Sequence, residues 1–359
     1  MRALILCVLV ACKGNSASPP PPPSPAPVPG IASSTSLVRV DRRIELLSIL
    51  HRLIGHRAYT EAPATPYVKA VDATFGPFKN HPAVLATQAL RASHSISWDA
   101  PLILAVHLDD QLELVNPGEL PELDPRFTGA DVAAYAATLR DFARDTKLDA
   151  FLDANRPYAE QVVATVRQMI QKENPVPWFD AFFGAKPNAR FIVVPGLLTG
   201  THNMGVRATL PDGTQEIYQV LGIHAADGMP TTDDASVALL VHEMAHSYVN
   251  PLVATHRAAF EASGTRLFAL VEDAMKKQAY GAWKTFVDES IVRAVVVVYL
   301  LDRKGKDAAN AEAQQQLNLS FRWTPVLAKE LLRYQSARAT YADISAFMPE
   351  LIKAFAELR

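Results

Sequence analysis

The amino-acid sequence predicts an α+β fold that is predominantly helical and contains a small antiparallel sheet. Apolar residues recur at helical spacing from about Val38 to Gly184. Two apolar, β-branched runs follow, Ala189–Leu198 and Gln215–Ile223, and helical spacing returns from about Thr232 to the C-terminus. With 359 residues, the chain is long enough for one large domain or two smaller ones.

The first 11 residues predict a signal peptide of the lipoprotein type. Arg2 precedes an apolar run of about ten residues, which fits a secretory signal and is too short to span a bilayer. The run ends in residues 9–12, LVAC, which resemble the bacterial lipobox, so we expect a lipid on Cys12. The alternative is an ordinary cleaved signal peptide that contains a cysteine.

Residues 12–36 are predicted to form the lipid anchor and a stiff linker. The stretch 18–30, SPPPPPSPAPVPG, favours a polyproline II spacer, with recognition by a proline-binding module as the alternative. We therefore expect an exported, membrane-anchored lipoprotein of the bacterial cell envelope, or a secreted protein if the lipobox is not used. The net charge of −2 predicts no nucleic-acid partner.

Residues 37–185 are predicted to form a long N-terminal helical part. Its clearest helix lies in 41–56, DRRIELLSILHRLIGH, where Gly55 occupies the position of a C-terminal cap. Further helices are expected near 81–92, 100–112, 130–146 and 159–172.

Residues 186–359 are predicted to hold the sheet and the candidate site. The turn signal PDGT at 211–214 separates the two apolar runs and predicts antiparallel pairing, with up to three strands. A helix is expected from about Asp233 to Val249, because residues 231–234 supply capping side chains. Asn250-Pro251 should end this helix, since the residue before proline avoids the α conformation.

This helix carries the motif His-Glu-x-x-His. His242 and His246 lie four residues apart and therefore on one face, whereas Glu243 is rotated by about 100°. Two imidazoles one turn apart can bind Zn²⁺, and the adjacent carboxylate can take a proton from an attacking water. The alternatives are a buried, hydrogen-bonded His–Glu cluster and a surface helix without a site.

A third ligand must come from elsewhere, and the best candidate is Glu289 on the helical stretch Trp283–Leu301. Its carboxylate lies on an apolar stripe, where a carboxylate requires a cation. The alternative is an intrahelical pair with Arg293, although Arg293 could also hold the second oxygen of a metal-bound Glu289. The other acidic or imidazole candidates are Asp288, Glu272, Asp273 and His256.

The motif followed 43 residues later by Glu289 resembles the gluzincin branch of zinc metallopeptidases. The stretches HEMAHSYVNP, DESIVRA and VDRRIELLSILHRLIG also resemble a bacterial exported family known only as a domain of unknown function. The resemblance implies a zincin-like catalytic part in residues 186–359, with His242, His246 and Glu289 as ligands and Glu243 as the base. Thermolysin-like members carry Asp where Arg293 stands, which leaves the partner of the first histidine unidentified.

Two further roles are predicted more loosely. The stretch Gly200–Ala208 could form an edge strand that holds a substrate backbone, with Asn203 as a polar contact; a flexible loop is the alternative. An oxyanion donor is also required, and the candidates are Tyr299, Tyr280, His202 and His224.

The expected function is zinc-dependent hydrolysis of peptide bonds at the cell envelope, with a peptide or protein as substrate and the membrane as partner through the N-terminal lipid. Two alternatives remain at this point. One is a zinc hydrolase of non-peptide or cell-wall amide substrates. The other is a non-catalytic envelope scaffold that retains the motif.

Overall fold

Helices cover both faces of a small mixed sheet in the computed structural model, which describes residues 37–359 except 187, 201, 227, 228, 233 and 279. The predicted class, α+β and predominantly helical, is confirmed. The predicted signal peptide, Cys12 and the proline-rich linker lie outside the described residues.

The N-terminal part is helical up to residue 183. The Asp41 side chain caps the first helix by accepting a hydrogen bond from the Arg43 N–H. The left-handed φ of +73° at Gly55 ends that segment, as its sequence indicates. The helices are α1 Arg42–Leu53, α2 Arg57–Thr60, α3 Pro66–Phe75, α4 Pro82–His94, α5 Ala100–Val106, α6 Leu120–Leu123, α7 Val132–Asp145, α8 Leu148–Ala154, α9 Arg156–Glu173 and α10 Pro175–Phe183.

The sheet differs from the prediction in its pairing. Its strands are β1 Leu37–Val38, β2 Ala189–Gly196, β3 Met204–Thr209 and β4 Gln215–Gly222, in the order β1-β2-β4-β3. The two apolar runs, β2 and β4, pair in parallel, so their predicted antiparallel pairing is wrong. The turn at 211–214 instead joins β3 to β4, because the intervening segment forms a strand of its own and pairs antiparallel with β4.

Alternate side chains of the sheet enter two different apolar cores. One face packs against the N-terminal helices, and the other packs against the C-terminal helices, as the period of two along a strand requires. The first face carries Ile192, Val194, Met204, Val206, Ala208, Tyr218 and Val220, and the second carries Phe191, Val193, Ile217 and Leu221. The strands β5 His224–Ala226 and β6 Met229–Thr231 form a separate two-stranded sheet.

The C-terminal helices are arranged around one buried helix, α14, which packs against four others: α11, α12, α15 and α16. Neither α14 nor any other helix in the described part of the chain is long and apolar enough to cross a membrane. These helices are α11 Asp234–Thr255, α12 Arg257–Ala269, α13 Glu272–Lys277, α14 Trp283–Lys304, α15 Lys306–Asn318, α16 Thr324–Ser336 and α17 Ile344–Glu357.

The helix that carries the motif does not end at Asn250-Pro251, so the predicted end at Val249 is wrong. It continues to Thr255 with Pro251 inside it. Proline has no N–H to donate to the carbonyl four residues earlier, that of Ser247. The Lys186 ammonium donates a hydrogen bond of 2.6 Å to this carbonyl, and this tertiary contact replaces the lost helical bond.

A buried carboxyl group lies in the N-terminal core. Glu45 of α1 has no exposed surface; the Tyr67 hydroxyl donates to its Oε2 at 2.6 Å, and its Oε1 has no hydrogen-bond partner. Burial raises the pKa of Glu45 to about 7. The folded protein therefore holds a proton on Glu45 that the unfolded chain releases at lower pH.

We expect the stability advantage of Glu45→Gln over the wild type to grow as the pH rises from 4 to 8. The folded pKa is above the unfolded value, so Glu45 destabilises the fold progressively between about 4.5 and about 7. Urea unfolding at pH 4 and at pH 8 measures the free energy of unfolding of both proteins. The difference between Glu45→Gln and the wild type should change by about 3 kcal/mol between these pH values. A difference that is independent of pH would contradict this assignment.

Candidate metal centre

The helix α11 presents the two motif histidines toward α14. Its apolar side chains anchor it on both sides, because Val241 and Ala245 are fully buried and Met244 is nearly so. One side of α11 packs against β3 and β4, and another packs against α14. His242 and His246 therefore point into an interface between two helices and are largely enclosed.

Glu289 of α14 meets both histidines in this interface. Its Oε2 lies 3.5 Å from the Nε2 atom of His242, and its Oε1 lies 3.4 Å from the Nε2 atom of His246. The two Nε2 atoms are 3.1 Å apart. The structure thus brings together the three side chains that the sequence suggested as ligands.

These separations fit a single metal ion. Ligand atoms 2.0–2.1 Å from zinc at tetrahedral angles lie about 3.3 Å from one another. Glu289 Oε2 is buried without a hydrogen-bond partner, and the two facing imidazole nitrogens need a shared proton or a cation between them. No further His, Cys, Asp or Glu joins this group among the described residues, so a tetrahedral ion would keep one open position.

Neighbouring side chains orient the three candidate ligands. The Nδ1 atom of His246 lies 3.1 Å from the Oδ1 atom of Asn250, which directs its Nε2 atom to the centre. Arg293 Nη2 lies 3.0 Å from Glu289 Oε2 as an ion pair, without the alignment of a hydrogen bond. The Arg293 guanidinium itself lies over the Phe321 ring, 4.0 Å from its centroid.

Hydrogen bonds also hold Arg293 in place. Its Nη1 donates to the Gln316 side chain at 2.6 Å, and its Nη2 donates to the Tyr280 hydroxyl at 3.0 Å. Arg293 therefore presents a fixed positive charge next to the Oε2 atom of Glu289.

Burial and charge polarise the centre. Burial lowers the pKa of His242 to about 3, so this imidazole is neutral. Burial opposes the ionised form of Glu289 as well, but the charges of His246, His242 and Arg293 hold its pKa well below the usual range. Although burial disfavours its cation, His246 has a pKa raised to about 9 by the Glu289 carboxylate. Without a metal ion, the centre therefore combines an ionised Glu289, a neutral His242 and a protonated His246, and a bound cation would take the place of the His246 proton.

Glu243 lies beside the centre and lines a cleft. Gly205 of β3 lies against its carboxylate, since a Cβ added to Gly205 would lie 3.3 Å from Glu243 Oε2. Burial raises the pKa of Glu243 to about 7. The cleft has a volume of about 300 Å³ and is lined by Asp99, Ile103, Gly205, Val206, Arg207, Ile217, Gln219, Glu243, His246, Ser247 and Asn250.

The stretch 200–208 contributes to this cleft through β3, the last strand of the sheet. Asn203 is not part of the cleft lining. Its side-chain oxygen accepts a hydrogen bond of 3.0 Å from the Gly222 N–H, and Asn203 lines a separate, smaller cavity. Gly205 and Gln219 were not among the site residues predicted from the sequence. Each reaches the cleft through a contact between a strand and α11, and the residues of one segment alone do not indicate such a contact.

Among the candidates for the oxyanion donor, Tyr280 is linked to the centre through its hydrogen bond with Arg293. Burial, followed by the charge of Glu289, raises its pKa to about 12, so the hydroxyl keeps its proton. Tyr299 instead packs against Trp178, and His202 packs against Trp98. The side chain of His224 lies outside the described part of the structure.

The other candidate ligands do not join the group. Asp288 neighbours Glu289 but has a buried Oδ1 without a partner, and burial raises its pKa to about 6. Glu272 pairs with Lys276 on the exposed helix α13, where Asp273 also lies, and His256 lies at the start of α12. The hydrogen-bond partner of His246, Asn250, was not predicted, although a residue four positions after His246 lies on the same helical face and can reach its side chain.

A family model described as "Domain of unknown function (DUF4932)" matches residues 37–354 of the chain. This range includes the three candidate ligands, Glu243 and the strands that line the cleft. No curated protein and no solved structure matches the chain.

We expect the purified protein to bind one zinc ion per chain, and Glu289→Gln to weaken binding strongly. Removal of the negative ligand leaves only two imidazoles for the zinc ion. The control Glu272→Gln changes an exposed acid of α13 and should bind zinc like the wild type. Free zinc at 100 times the Kd should raise the free energy of unfolding by about 2.7 kcal/mol. Elemental analysis and unfolding with and without chelator measure both effects; equal zinc content in the two variants would contradict the centre.

Proposed function

The chain belongs to the DUF4932 family, and from the geometry of its own residues we propose that it is a zinc-dependent hydrolase of peptide bonds. One observation carries the proposal. His242, His246 and Glu289 converge from two helices, and the carboxylate of Glu243, adjacent in the chain to the first histidine, lines the cleft next to them.

The three converging side chains would hold the zinc ion, which when bound supplies Lewis acidity that polarises a carbonyl and acidifies water. Glu243 takes the proton of the attacking water and returns it to the leaving amine. Its raised pKa, about 7, suits a group that both accepts and donates a proton near neutral pH. The close approach of Gly205 places β3 against this carboxylate and so limits the positions that it can take.

The open edge of β3 supports a peptide as the substrate. It is the last strand in the sheet, and β4 is its only strand partner among the described residues. An extended peptide can add to such an edge through main-chain hydrogen bonds. Because β3 lines the same cleft as Glu243, a peptide bound there would pass the candidate centre.

Tyr280 is the proposed donor for the oxyanion of the tetrahedral intermediate. Its hydroxyl remains protonated and accepts a hydrogen bond from Arg293, which leaves its own proton free for donation. Arg293 pairs with Glu289 and so serves as a positioning residue.

An open coordination position distinguishes this proposal from a structural metal site. A structural zinc site normally closes with four protein ligands, whereas the described residues offer three. For the location we propose a lipid on Cys12 and a proline-rich spacer over 18–30 that holds the domain at the membrane of the cell envelope. The substrate is then a peptide or protein in the same compartment.

The variant Glu243→Gln should retain zinc and lose turnover. Its amide is nearly isosteric with the carboxylate and cannot accept the proton, so kcat should fall by about 10²–10⁴. A mixture of quenched fluorescent peptides measures turnover, and elemental analysis measures zinc. Unchanged peptide cleavage in this variant would reject Glu243 as the base.

The variant Gly205→Ala should lower kcat by about tenfold with zinc content unchanged. The added Cβ would lie 3.3 Å from Glu243 Oε2, so the carboxylate must shift by a few tenths of an ångström. Gly76→Ala, at the end of α3, is the matched control, because nothing lies within 4 Å of a Cβ added there. Equal rates for the two variants would show that β3 does not position the base.

A further inference from the structure

The cleft lining includes an arginine, Arg207, that has no ion-pair partner in the part of the chain that the structure describes. Side chains of β3 alternate, and Met204, Val206 and Ala208 are buried against the N-terminal helices. Gly205 and Arg207 therefore lie on the opposite face, the one that meets α11, and both line the cleft. Arg207 is exposed and forms no ion pair with a described residue.

A second cation, Lys186, contacts the cleft wall through Ser247, which lines the cleft together with Arg207. The Lys186 ammonium donates a hydrogen bond of 2.6 Å to the Ser247 carbonyl and lies 4.4 Å from the centre of the Tyr248 ring. Burial, followed by the charge of Arg207, lowers the pKa of Lys186 to about 8, which places the two cations within electrostatic reach of each other. Among the described residues, Lys186 has no carboxylate within ion-pair distance.

The nearby acids do not compensate for this charge. Asp99, also in the cleft lining, is held by the Arg126 guanidinium at 2.7 Å. Glu216 of the neighbouring strand is bound by Arg190 and by the Tyr218 hydroxyl. An anion bound between Arg207 and Lys186 would offset the repulsion between these two cations.

We propose that Arg207 and Lys186 form a subsite for a substrate carboxylate, so that the cleft selects peptides with an acidic group near the cleaved bond. This inference rests on the proposed function. Arg207 lies two residues beyond Gly205, or about 7 Å along the strand, and Gly205 faces the base. The carboxylate therefore belongs one or two residues from the cleaved bond.

Arginine recognises this chemistry well because its planar guanidinium can donate two parallel hydrogen bonds to one carboxylate. Lys186 adds a point charge whose position is held by the Ser247 carbonyl, the one that Pro251 leaves without a helical bond. The carboxylate can belong to an Asp or Glu side chain or to the free C-terminus of a short peptide.

The test uses the zinc-loaded full chain and matched peptides that differ in one group. Peptides that carry either Glu or Gln at each of the two positions on either side of the cleaved bond test whether the recognised carboxylate belongs to a side chain. Peptides with a free or an amidated C-terminus test whether the recognised carboxylate is the terminal one. We expect kcat/KM for one acidic peptide to exceed that of its amide partner by at least about tenfold.

Substitutions assign this preference to the two cations. Arg207→Gln should reduce the acid-to-amide ratio of kcat/KM to about one, and Arg207→Glu should invert it. Lys186→Gln should lower the ratio, whereas Lys186→Arg, which keeps the charge, should restore most of it. Arg156→Gln is the matched control, because this exposed arginine of α9 pairs with Asp153 and does not line the cleft.

A second readout separates the subsite from the proposed function. Glu243→Gln binds peptides without turning them over, so fluorescence anisotropy gives the acid-to-amide ratio of Kd directly. If the wild type cleaves acidic and amide peptides equally, the subsite is overturned and the peptidase function stands. If it cleaves no peptide, the function is overturned, and the Kd ratio alone decides: a ratio near one rejects the subsite.

Discussion

The contact between α11 and α14 is the constraint on which the rest of this structure depends. It encloses a negative carboxylate from Glu289 and two imidazoles, whose ring nitrogens are 3.1 Å apart. Burial of such groups costs several kcal/mol unless a proton or a metal ion compensates them. The spacing matches the ligands of one tetrahedral ion, and Arg293 supplies a fixed charge next to the carboxylate. The long and largely buried helix α14 thus serves as a support for the candidate centre.

The sheet connects this centre to the N-terminal helices. One face of β3 packs into the N-terminal core, and its other face carries Gly205 and Arg207 into the cleft. Asp99 and Ile103, next to and within α5, form another part of the cleft wall. The N-terminal helices therefore contribute directly to the site rather than forming an independent appendage. This arrangement explains why residues from both halves of the chain are needed to enclose the cleft.

Local rules and tertiary contacts compete along α11. The sequence Asn250-Pro251 predicts a helix end at Val249, but in the structure the helix continues to Thr255. Lys186 replaces the missing bond to the Ser247 carbonyl. As a result, Asn250 stays helical and lies one turn beyond His246 on the same face of α11. From there its side chain orients the His246 imidazole. The same bond holds the Lys186 ammonium near Arg207, so the proline has consequences for both the centre and the cleft.

The sequence by itself determined the fold class, the spacing of His242 and His246 on one helical face, and the acid of α14 that meets them. These features depend on periods within single helices, which neighbouring residues specify. Only the tertiary structure decided the parallel pairing of β2 with β4, the passage of α11 through Pro251 and the approach of Gly205 to Glu243. Each of these joins segments that are distant in the chain, and its energy comes from packing and charge between them rather than from local backbone preference.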